Sequence, residues 1–313
     1  MSLEFAMSAQ VTHALVFRRF YEPERRPLTS HEAEGLRQAI AGLRTILSFE
    51  DKFYVVIENL LELELCLAEI AARHMVRPLL KDEEFGDKIR EANRRVINLL
   101  TSFRLYRDQT VHHFAPLLPL TDIKALFKAE EKSSFAFRVV EALRNHVQHR
   151  DLPVHTMTLG SDWAGEPPAH KLRHHARLAI NLEQLASDEC FPKGVLAELK
   201  AIPEIPDLRL LLRQYASVMG QIHRNLREAF AEAQTGWMKV LDDAASGWGT
   251  STNEDDVDLG LAVAELRNGD LIEAFEIYAK LADRVRDMQQ RNFCCTALDR
   301  AFFTSEAVDK KRA

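Results

Sequence analysis

The sequence is short of the residues that break helices. Its 313 residues include 12 glycines and 11 prolines, well below the ~12% that the two average together. That scarcity excludes a barrel or sandwich with a turn every ten residues or so, and favours long helices. Cysteine is scarcer still: Cys66, Cys190, Cys294 and Cys295 are the full set. No CxxC spacing occurs, and the adjacent pair has poor geometry for a simple disulfide. This excludes a disulfide framework or a zinc-finger site and fits a reducing compartment. No run of about 18 apolar residues exists, so no membrane span is expected. The start is broken by His13, Arg18 and Arg19, so no signal peptide is expected there. The expectation is a cytoplasmic protein, with Met1–Ala6, ahead of a second methionine at Met7, read as an expression leader. Positive charge is also in deficit, with 41 Lys and Arg against 47 Asp and Glu and a net charge of −6. That argues against indiscriminate coating of nucleic acid. No phosphate-binding glycine loop, dinucleotide fingerprint or nucleophile elbow occurs, so no cofactor is expected.

What the chain does have is apolar residues at helical spacing. Leu36, Ile40, Leu43 and Leu47 recur at four, three and four, and Phe53 to Leu67 is apolar at nearly every turn. A helix over 31–76 follows, with Ser30 as its cap. Ile89, Val96, Leu100 and Phe103 predict a second over 84–114, ended by Pro116 and Pro119. A third starts at Thr121–Asp122 and runs through Ala136, Val140, Leu143 and Val147 to about Arg150. The fourth, over 207–245, carries a continuous stripe from Leu208 to Phe230, and His223-Arg224-Asn225 reads as its polar surface. Four such helices predict an all-α fold, a helical bundle over residues 31–245 preceded by an N-terminal segment, 1–30. Residues 151–206 form an insert in it, with a small hairpin from 154–159 and 178–182 and a short helix near 192–200. Residues 246–258, with the acidic run Glu254-Asp255-Asp256, read as a linker. Residues 259–313 read as a small C-terminal appendage of two or three helices, in which Gly269 stops one helix and Asp270 caps the next.

One string carries chemistry: Arg144-Asn145-His146-Val147-Gln148-His149-Arg150. At 100° per residue, Ala136, Val140, Leu143 and Val147 fall within about 60° of one another and mark the buried stripe. Arg144, Gln148, Asn145 and His149 then form a contiguous polar arc, with His149 roughly opposite the core. Asn145 and His149, at i and i+4, are neighbours. A histidine can take or give a proton at neutral pH. A guanidinium can grip a phosphate and stabilise developing charge. RNA brings its own nucleophile, the 2′-hydroxyl, so the reaction needs no metal.

The all-helical pattern with Arg144-Asn145-x-x-x-His149 near a helix end resembles the HEPN superfamily. The wider string, Leu143 to Pro153, is similar to one in uncharacterised bacterial helical proteins. The resemblance covers the motif and the helix pattern over 31–245, and not the insert or the tail. It implies a metal-independent endoribonuclease with Arg144 and His149 as catalytic pair and Asn145 beside them. It also implies a homodimer with two motifs facing each other, a 2′,3′-cyclic phosphate product, and work alongside an antitoxin or in phage defence. A non-catalytic interaction or regulatory protein on the same scaffold is the alternative.

Charge is unevenly spread. Residues 138–177 hold six Lys/Arg against four Asp/Glu, and six of the 12 histidines lie between 146 and 175. Within this basic segment Gln148, Arg150, Lys171, Arg173 and Arg177 are candidate RNA contacts. Trp163 could stack a base but is expected to pack on its own domain. His146 and His149, at i and i+3, are the weaker case for a metal, with no acidic or cysteine ligand at a familiar spacing.

Overall fold

The structure is a computed structural model describing residues 11–19, 23–77, 82–114, 118–168, 170–204, 207–248, 258–278, 280–292, 296–301 and 303. The expected leader, Pro78, Pro116, the acidic run at 254–256 and Cys294–Cys295 lie outside these residues.

The all-α expectation is overturned. Among the described residues six strands form two antiparallel sheets, one of four strands and one of two. In chain order the elements are β1 (Val11–Arg19), β2 (Glu24–Leu28), α1 (Ser30–Val76), α2 (Asp82–His113), α3 (Leu120–Ser133) and α4 (Phe135–His149). There follow β3 (Thr156–Ala164), β4 (Lys171–Ala179), α5 (Leu182–Ser187), α6 (Lys193–Ala201) and α7 (Leu208–Ala245). β5 (Asp258–Arg267), β6 (Asp270–Ile277), α8 (Leu281–Arg291) and a single 3-10 turn at Leu298–Arg300 complete the order. None of the described helices is long and apolar enough to cross a membrane.

The expected helical tail fails at Asn268–Gly269. Both residues have positive φ, 53° and 94°, and Arg267 pairs with Asp270 across them. Two consecutive positive-φ residues make the tight turn whose twist matches a β-hairpin, and Asn-Gly is its strongest signal. Glycine also ends helices, so locally the same dipeptide fits a helix stop equally well. Residues 258–277 are therefore two strands, and α8 is the one helix described after them. Within the N-terminal segment β1 and β2 also pair antiparallel.

The chain divides into two compact units. The first takes residues 1–51 and 227–291, and its sheet runs β2-β1-β5-β6. β1 pairs with β5, bringing Leu15 opposite Val263. Leu261, Ala262, Val263 and Ala264 are all buried, as a central strand covered on both faces requires. Pro27 sits in β2, and a residue without an N–H suits an edge strand. In the same unit Phe49 meets Phe230 edge-on with centroids 5.9 Å apart. Thr29 and Glu32 close a reciprocal cap on α1: the Thr29 N–H donates to Glu32 Oε2 at 2.7 Å and the Glu32 N–H to Thr29 Oγ1 at 3.2 Å. The cap is thus Thr29 rather than Ser30.

The second unit takes residues 52–226 and 292–313. Its core is aromatic. Phe53 stacks on His223 with centroids 4.0 Å apart, and the Tyr106 hydroxyl lies 2.9 Å from His223 Nδ1. His223 is fully buried, not on the polar surface where the sequence put it. The predicted third helix is two. Ser134 is extended (φ −100°, ψ 116°) and its hydroxyl accepts the Phe137 N–H, so α3 ends there and α4 begins anew. The insert does hold a hairpin, with strands longer than expected: β3 and β4 pair over nine residues, from Thr156 opposite Ala179 to Ala164 opposite Lys171.

Candidate active site

α4 buries Ala136, Phe137, Val139, Val140, Ala142, Leu143 and His146. Asn145, Gln148, His149 and Arg150 are left exposed. Arg150 caps the helix, its N–H donating to the His146 carbonyl at 2.8 Å. The chain then turns under α2. Asn93 grips Val154 on both sides, its amide donating to the Val154 carbonyl at 2.9 Å and its oxygen accepting the Val154 N–H at 2.8 Å. This clip fixes how the helix end meets the hairpin.

A cavity of about 320 Å³ opens at that end. Asn145, His146 and His149 line it from α4, Arg150 from its cap, and Asp188 and Cys190 from the loop after α5. His146 and Asp188 form its inner wall. His146 Nδ1 lies 2.7 Å from Asp188 Oδ2, and both side chains are nearly inaccessible, at 3% and 4%. The other carboxylate oxygen accepts the Cys190 N–H at 2.9 Å and lies 3.4 Å from Arg150 Nε. The His146 hydrogen bond is the leading reason the Asp188 carboxyl is held below its ordinary value. An ionised partner makes Nδ1 the donor, so in the neutral ring Nε2 is the acceptor. That Nε2 is buried without a partner among the described residues.

The proposed catalytic trio is only partly gathered. Asn145 and His149 share the cavity. Arg144 does not line it; its guanidinium donates to Gln148 Oε1. Burial and the nearby Arg104 charge push the Arg144 pKa down. Arg150 does line the cavity, whereas Lys171, Arg173 and Arg177 do not. These three are exposed on one face of β4, where Arg173 stands opposite Asp162 in the register and Arg177 reaches Glu204 at 3.3 Å. The histidine cluster disperses: His146 and His149 stay at the cavity, while His174 and His175 lie on β4. His174 Nδ1 lies 2.9 Å from the Ser161 hydroxyl. His175 Nδ1 lies 3.2 Å from Asp162 Oδ2, and its ring fills the space that a Cβ on Gly160 would take. Among the described residues no three His, Cys, Asp or Glu side chains converge as an ion would require. Trp163 is 67% exposed, contrary to expectation, with the His170 ring 4.4 Å from it.

Sequence reasoning missed Asp188 and Cys190. They lie about 40 residues from the motif, on a loop whose approach to α4 depends on the insert's path. The one local signal is Asn181, whose side chain caps α5 and so places Asp188 one short helix later.

His155 adds a pH dependence. Its Nδ1 accepts the Asn181 N–H at 3.1 Å, and burial holds its pKa below the ordinary 6.5. The unfolded chain therefore takes up a proton first as pH falls through 6.5, so this contribution to stability is complete above that value and shrinks below it. The urea midpoint should drop from about pH 7.5 to about pH 5.5 more steeply for wild type than for His155→Asn, which keeps an acceptor that does not titrate. Equal slopes would remove His155 from the account.

No protein-family model, no curated protein and no solved structure matches this chain, so its reading rests on the cavity at the end of α4.

Proposed function

We propose that this chain cleaves RNA at the α4 cavity without a metal, as the HEPN resemblance implies. The observation that carries the reading is that Asn145, His149 and Arg150 stand exposed around one cavity. There His149 exchanges the proton of the 2′-hydroxyl or of the departing 5′-oxygen. The 2′-oxygen bonds to phosphorus as the bond to the 5′-oxygen breaks, leaving a 2′,3′-cyclic phosphate and a 5′-hydroxyl. Asn145 orients the substrate or His149, and Arg150 holds the phosphate within the same chain. Lys171, Arg173 and Arg177 contact flanking nucleotides.

The second copy that the resemblance implies gives Arg144 its place in the site. Five residues on a helix place it about 140° around the axis from His149, so one chain does not aim both at one phosphate from one side. In a two-fold dimer each site takes His149 from one protomer and Arg144 from the other. Control by an antitoxin, or a place in phage defence, belongs to the same reading.

The test is RNA cleavage in EDTA. Wild type should cut, and His149→Ala should be slower by about 10²–10⁴-fold, the usual worth of a positioned acid or base. Equal rates for the two proteins, or no cleavage by wild type, overturns the reading. RNA binding without cleavage favours the non-catalytic interaction protein.

A further inference from the structure

The α4 cavity contains a thiol that RNA cleavage leaves unused. Cys190 is a free, exposed cysteine on the cavity lining. Arg150 Nη2 lies 3.6 Å from its sulfur, while Arg150 Nε lies 3.4 Å from Asp188 Oδ1. Asp188 is in turn fixed by the Cys190 N–H and by His146. The guanidinium is thus held beside the sulfur by an anchored carboxylate. A cation in that place can offset negative charge on the reacting sulfur and on a leaving group beside it. A second observation points to a ligand. His146 is 4% exposed, lines the same cavity, and has its Nε2 buried without a partner among the described residues. A buried polar atom left in this way marks where a bound molecule can complete the hydrogen bonding.

We infer that Cys190 is a peroxide-reactive thiol, and that the α4 cavity takes a small hydroperoxide between its sulfur, the Arg150 guanidinium and His146 Nε2. The hydroperoxide O–H donates to Nε2. The thiolate attacks the hydroxyl-bearing peroxide oxygen, which keeps its hydrogen; the S–O bond forms as the O–O bond breaks and the other oxygen leaves. Sulfur is oxidised by two electrons to the sulfenic acid and the peroxide is reduced to an alcohol, or to water when it is hydrogen peroxide. The negative charge moves from sulfur to the leaving oxygen, both beside Arg150, and that oxygen takes up from water the proton the thiol released. This chemistry goes beyond RNA cleavage and does not rest on it.

The test uses the full chain and hydrogen peroxide as probe, with dimedone trapping of sulfenic acid and peptide mass spectrometry. Cys66, buried and with its thiol pushed up to about 11 by desolvation, is the internal reference. Cys190 should be trapped at least about tenfold faster than N-acetylcysteine under the same conditions, the scale of one charge-assisted contact. Arg150→Met should lose that advantage and Arg150→Lys should keep part of it. Circular dichroism of each variant confirms that the chain is folded. Trapping of Cys190 no faster than N-acetylcysteine, or equally fast in Arg150→Met and wild type, overturns the inference.

Discussion

Mixing equal amounts of the His149→Ala and Arg144→Ala proteins is expected to restore RNA cleavage to about a quarter of the wild-type rate, although each alone is nearly inactive. The two-copy site is what the HEPN resemblance implies, and the helix agrees with it by setting Arg144 and His149 about 140° apart. His149 opens on the α4 cavity, while Arg144 lies on the adjoining face bonded to Gln148. If each site draws its arginine from one copy and its histidine from the other, about half the dimers in an exchanged mixture are mixed, and each holds one intact site and one empty one. The measurement is cleavage of a fluorescent RNA in EDTA after subunit exchange, with exchange followed by size-exclusion chromatography. A mixture that stays inactive after exchange places both groups in one chain and sinks the two-copy site. Activity in the separate variants removes those residues from the chemistry altogether.

The second large effect concerns stability. Arg213 donates to both oxygens of Glu64, the Nη2 contact measuring 2.6 Å, and its Nη1 donates to the Ala301 carbonyl at 2.7 Å. The two side chains are only 10% and 11% accessible. Removing one member of such a pair leaves a charge in a poorly hydrated place without its donors, and costs about 3–5 kcal/mol. That is a large share of the ~5–15 kcal/mol that holds a typical domain together. Arg213→Met should therefore lower the urea midpoint strongly. The double variant Glu64→Leu, Arg213→Met should recover much of the loss, because it removes the buried charge together with its partner. A single variant within about 1 kcal/mol of wild type would show that the pair is hydrated and contributes little.

These consequences were unequally legible in the sequence. The long helices could be read because their apolar stripes repeat over many turns: Leu208 to Phe230 lines one side of α7 without interruption. The sheet of the first unit could not. β1 and β5 have little meaning alone, since Leu15 finds Val263 only when distant segments meet, and no local period announces the pairing. Asn268–Gly269 was visible but ambiguous, because the same φ > 0 closes a hairpin or ends a helix. The motif on α4 was legible as a polar arc, and Asn145 and His149 do share a cavity. The wall behind them was not, because Asp188 lies 42 positions along the chain from His146.

The pairing of β1 with β5 also bears on synthesis. The first strand and its partner are separated by roughly 240 residues, so a ribosome adding about 5–20 residues per second presents β1 some 10–50 s before β5 exists to meet it. Through that interval the β1–β2 hairpin carries an open edge with Leu15 uncovered, the kind of template on which another chain can pair. The first unit is therefore completed late in translation although it contains β1, and β1 and β2 depend on whatever shields them until β5 has been made.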